Sequence, residues 1–201
     1  MTKATLSATA FRTAWEHLDL GAMPIVLHVQ DEPAPWSHLT EPGLARGGEL
    51  DPWLGAAFKL IAYPPRSADL RLGIGRSAVR ALAASSANAP SATTSSANAP
   101  SATTSSTTAS TGSTGSLLAV LTGDVLTVSE VDVDLATALV GLLPRLPDGR
   151  VGAPDLRGQF GAAAIDRSGR RTRAADVVDF HGPADPDVLR ARITALLDQL
   201  L

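Results

Sequence analysis

The stretch 69-DLRLGIGRSAVRALAA-84 can be read in two ways, and the fold turns on the choice. Gly73, Gly75 and Ala78 fit G-x-G-x-x-A. In a dinucleotide-binding unit that turn leads a strand into a helix and brings the backbone against a pyrophosphate. Yet Leu70, Leu72 and Ile74 alternate with Asp69 and Arg71, which is the period of a strand. Gly75-Arg76 is then a tight turn and 76–84 a second strand. The acid that would confirm the dinucleotide unit, about twenty positions on, falls in a run of Ser, Thr, Ala, Asn and Pro. The hairpin is preferred. A small-molecule or nucleotide-binding module on the Gly73–Ala78 turn stays as the alternative.

Downstream, 116-SLLAVL-121 and 125-VLTVSEV-131 flank Thr122-Gly123-Asp124 and add two more strands, giving an antiparallel meander of four. Between the two hairpins, SSANAPSATT at 85–94 repeats without change at 95–104 and runs into SSTTASTGSTG at 105–115. The tract has no charge and no large apolar side chain, so burial cannot offset the entropy of ordering it. Such tracts are glycosylated stalks in some secreted proteins. With no signal peptide in view, 85–115 is expected to be a disordered loop set into a hairpin. Residues 1–84 and 116–201 then form a single domain. Insertion costs little, because closure entropy grows only as the logarithm of length.

Helical signals surround the meander. Ser7 caps a helix with Phe11, Trp15 and Leu18 on one face and Gly21 beyond its end. Asp51-Pro52 and Asp185-Pro186 each pair an N-cap with proline at the first helical position. Asp134 or Asp132 opens a helix over Leu135, Leu139, Leu142 and Leu143, stopped by Pro144. Residues 24–29 (PIVLHV) read as a short strand, and 30–50 as a loop with one helical turn. Strands grouped between helices imply α+β, with a central antiparallel sheet flanked by helices.

Several function classes are excluded. The net charge of −3 offers no global field for nucleic acid. Arg167, Arg170, Arg171 and Arg173 around Gly169 lack the interleaved aromatics of a nucleic-acid site and read as a hairpin tip. No run reaches the roughly 18 apolar residues of a membrane span, and a cytoplasmic protein is expected. Without cysteine there is no thiolate chemistry. His17, His28, His38 and His181 do not stand at metal-ligand spacing, and no catalytic residue, metal site or cofactor site is identified.

Four segments, in order, resemble the EspG family, the cytosolic chaperones of actinobacterial type VII (ESX) secretion. They are FRTAWEHLDLGAMPIVLHV (11–29), with Trp15, Leu18, Leu20, Gly21 and Pro24; GELDPWLGAAFKLIAYPPRSADLRL (48–72); SLLAVLTGDVLTVSEVDVDLATALVGLLP (116–144); and GQFGAAAIDRSGRRTRAADVVDFHG (158–182). In the last, Gln159, Phe160, Gly161, Arg170, Arg171, Phe180 and His181 look like the family's hairpin signature. The resemblance implies a shortened EspG-like fold without enzymatic activity or cofactor. Its implied partner is the hydrophobic tip of a PE/PPE-like or other ESX substrate, bound in the cytosol by the sheet and the C-terminal helical region. The stripe Leu189, Ile193, Leu196 and Leu200, widened by Leu197, is the candidate partner surface. Packing on the protein's own sheet and pairing of two copies remain open for the same stripe.

Overall fold

The structure, a computed structural model, describes residues 2–75, 77–86 and 115–200. The segment expected to be a disordered loop lies, over 87–114, outside the described residues. The chain opens with β1 (Lys3–Ser7) and α1 (Ala8–His17), then a 3₁₀ turn (Ile25–Leu27), α2 (Ser37–Thr40), a ribbon of β2 (Ala45–Arg46) and β3 (Glu49–Leu50), and α3 (Pro52–Ala62). The meander follows as β4 (Arg66–Ile74), β5 (Ser77–Ser85), β6 (Ser116–Thr122) and β7 (Val125–Val131). After it come α4 (Leu135–Val140), β8 (Leu156–Ile165), β9 (Arg171–Arg173), β10 (Val178–His181) and α5 (Pro186–Asp198).

The hairpin decides the topology, as expected. Gly75 adopts φ 58°, a left-handed conformation that few side chains tolerate, and β4 and β5 pair from Arg66↔Ser85 to Ile74↔Ser77. Residues 78–84 are strand, so no helix N-terminus faces the glycines. The nucleotide-module alternative is corrected on that ground. The eight-stranded sheet has the order β1-β7-β6-β5-β4-β8-β10, with β9 also paired to β8 and every pairing antiparallel.

The helix boundaries follow local capping. Ser7 Oγ accepts from Ala10 N at 3.1 Å. Asp51 Oδ1 accepts from Trp53 N and Leu54 N, Asp134 Oδ1 from Thr137 N, and Asp185 Oδ1 from Asp187 N and Val188 N. Each satisfies amides that the first helical turn leaves without partners. Two elements differ from expectation. Residues 24–29 are not a strand: Pro24 O accepts from Leu27 N, and the 3₁₀ turn drops Val26 and Leu27 into the core while Ile25 points out. The five-residue β1 was not foreseen. It seats Ala4 and Leu6 in the core and pairs with β7.

The helices cover opposite faces of opposite halves of the sheet. On the front face, α1, α2, α3 and the 3₁₀ turn bury Ala4, Leu6, Leu82, Leu117, Ala119, Leu121, Leu126 and Val128 of β1, β7, β6 and β5. Phe11 is the hub of this core, edge-on to Trp15 at 5.3 Å and to Phe58 at 5.2 Å. On the back face, α4 and α5 bury Ala68, Leu70, Leu72, Ala81, Ala83, Phe160, Ala162 and Val178 of β5, β4, β8 and β10. The front of β4, β8, β9 and β10 is left without a helix, as is the back of β1 and β7, where Thr5 and Thr127 stand side by side at 3.4 Å.

Candidate functional site

The uncovered front half is a trough whose floor is ordered by strand register. One row runs Arg80, Arg71, Gln159, Asp179 across four neighbouring strands. The next runs from Leu82, itself buried in the front core, to Asp69 and Gly161, and the third from buried Ser67 to Ala163 and Arg173. At one side rises the 3₁₀ turn with Ile25, 63% exposed; at the other lies the link from β9 to β10 with Val177, 47% exposed. Small residues on β8, Gly161 and Ala163, keep the floor low. Beyond Ile25 the trough opens into a hollow of about 850 Å³ lined by Met23, His28, Asp31, Arg80 and Asp124.

Asp69 is the central charge. Burial holds its carboxyl above the ordinary aspartate range, against the opposing pull of Arg173 and then Arg71. Gly161 makes room for it, since a Cβ there would lie 3.0 Å from Asp69 Oδ2. Gln159 Nε2 donates to Asp179 Oδ1 at 3.0 Å, and Arg80 Nη1 donates to His28 O at 3.0 Å. These residues can hold polar and charged groups of a partner. Among the described residues no set of His, Asp and Glu could hold a metal ion.

The hairpin signature divides between the two faces. Gln159 and Gly161 line the trough, whereas Phe160 is buried on the back and stacks on Phe180 at 5.4 Å. The tip is built by Asp166, whose Oδ1 accepts from Ser168 N, Ser168 Oγ and Arg170 N, with Gly169 at φ 81°. Those hydrogen bonds, the one from the Ser168 side chain foremost, hold the Asp166 carboxyl below its usual range. Arg170 and His181 are exposed. Arg171 reaches back to donate to Ala62 O at 3.2 Å, satisfying a carbonyl at the end of α3.

The expected partner surface on α5 is corrected. Leu189, Ile193, Leu196 and Leu197 are buried, and Leu200 packs half-buried on the same core. The back of β4 and β8 offers a matching apolar bed, and the stripe is spent there. Asp69, Arg71 and Arg80, which the sequence reading passed over as site residues, are brought to the trough by pairing alone. Their signal was the charged, outward-facing half of a strand whose other half is apolar.

A model of the EspG family matches residues 7–156. The hairpin taken as its signature lies beyond that span. No curated protein matches the chain. Among solved structures, a chain from the structure of the Mycobacterium tuberculosis type VII secretion system chaperone EspG5 in complex with PE25–PPE41 dimer superposes with a TM-score of 0.67. That match has 12% sequence identity and covers 100% of this chain and 97% of the other, and at that identity it shows the shared fold. Because the family model takes in well over half of the 201 residues, from the first helix cap to the start of β8, the chain belongs to the EspG family.

Proposed function

We propose that this protein is a non-enzymatic chaperone of type VII (ESX) secretion that binds a PE/PPE-like substrate in the cytosol and shields its hydrophobic helical tip. The observation that carries this is the family match over 7–156. The shared fold with a chain of the EspG5 complex supports it, and so does the trough. Its floor is broad, open and rimmed by Ile25 and Val177, which suits the tip of a folded protein better than a small molecule, for which sites are concave and enclosing. No helix among the described residues is long and apolar enough to cross a membrane.

Co-expression with PE–PPE heterodimers from the same genome, followed by affinity purification and light scattering, tests the proposal. The expected result is a soluble complex with at least one heterodimer that is poorly soluble alone. If no heterodimer is captured, while an established EspG chaperone captures its own in the same assay, the proposal fails.

A further inference from the structure

We infer that the trough reads its client by charge: Arg71 and Arg173, standing on either side of Asp69, take a carboxylate carried on the client's apolar tip. The inference rests on the chaperone reading and specifies how that partner is recognised.

The whole chain carries a net charge of −3, yet the uncovered front half gathers Arg71, Arg80, Arg157 and Arg173 against Asp69, Asp176 and Asp179. Asp69 and Asp179 are not equivalent to free counter-charges. Asp179 accepts from Gln159, and Asp69 lies partly buried at the floor, where burial holds its carboxyl above the ordinary aspartate range. Arg80 is partly used by the His28 carbonyl. Arg71 and Arg173 make no hydrogen bond or ion pair among the described residues, and both are exposed. Two guanidinium groups held over a sheet floor, with the partly buried Asp69 between them, form a receptor for an incoming carboxylate, which arginine binds through paired N–H donors. The apolar rims at Ile25 and Val177 give the surrounding tip surface to cover.

Two other occupants fit poorly. Residues 87–114 of this chain contain no acid. Helix α5 is committed to the opposite face. Complementary charge of this kind steers encounter and selects partners more than it adds affinity, so it would separate one client from another.

The probe is the PE–PPE heterodimer captured by co-expression, immobilised and titrated with the full-length protein. Wild type should bind, and binding should weaken as salt rises from about 50 mM to about 500 mM, where surface charges are screened. Arg71→Glu with Arg173→Glu should weaken it by about tenfold or more, with circular dichroism and melting unchanged. Reversing an exposed acid on the client tip to lysine should recover binding to that double variant. Equal binding by the double variant overturns the inference and leaves the chaperone reading standing. So does binding insensitive to salt, or a loss that no client reversal recovers. Loss of self-association with client binding intact also overturns it, by naming a second copy as the occupant. Failure of the wild type to capture any heterodimer removes the chaperone reading and the inference together.

Discussion

Gly158 and Gly161 lie on one strand and are small for opposite reasons. Gly158 faces back, where the Phe180 ring lies across it: a Cβ would fall 2.0 Å from Phe180 Cε1. Gly161 faces front and spares the Asp69 carboxylate. Gly158→Ala is therefore expected to push Phe180 off its stack with Phe160 and to lower stability by about 1–3 kcal/mol, the usual cost of overpacking. Urea unfolding would measure it; an unchanged midpoint would show that Phe180 has room to move. Both glycines stood out in the sequence only as parts of a family pattern. Their physical reasons depend on register, Phe180 opposite Gly158 and Asp69 opposite Gly161, and register between distant strands is not written in local spacing. The same holds for the arginines of the trough, which are gathered from four strands.

At the scale of the element, helices were the most legible part. Their caps are local chemistry, as at Ser7, Asp51, Asp134 and Asp185. What the caps do not say is which way a stripe faces. The stripe of α5 could have met a client, a second copy or the sheet, and the apolar back of β4 and β8 settles it. Leu197→Glu is thus expected to unfold the protein or cost several kcal/mol, because it drives an unpaired charge into the core. Val188→Glu on the same helix, 56% exposed, is expected to change stability by less than about 0.5 kcal/mol. Thermal melts followed by circular dichroism would compare them, and a stable Leu197→Glu protein would return α5 to the list of partner surfaces. Short segments were the least legible. Residues 24–29 alternate enough to pass for a strand, but Pro24 fixes the backbone for a turn. Strand β1 is too brief for its alternation of Ala4 and Leu6 to stand out.

For the whole molecule, the duplicated tract joins two neighbouring strands whose ends meet without it. Ser86 N donates to Gly115 O at 3.2 Å, and Ser85 pairs with Ser116. We propose that 87–114 contribute nothing to folding beyond closure entropy. Replacing them by a four-residue turn shortens the loop by nearly three doublings, each about 0.6 kcal/mol, and should leave the melting temperature unchanged or a few degrees higher. A fall of many degrees would show that the tract packs on the fold. The diagonal placement of the helices has a consequence for how the chain can be divided. The front core draws on residues 4–62, then on Leu82 and on 117–128; the back core draws on 68–83, on Leu118 and on 135–197. Strand β5 gives Leu82 to one and Ala81 and Ala83 to the other. The two cores overlap along the sequence between 68 and 128, so no single scission yields two fragments that each hold one core entire. A cut after β7 keeps the front core together but carries away the share of the back core that β4, β5 and β6 supply.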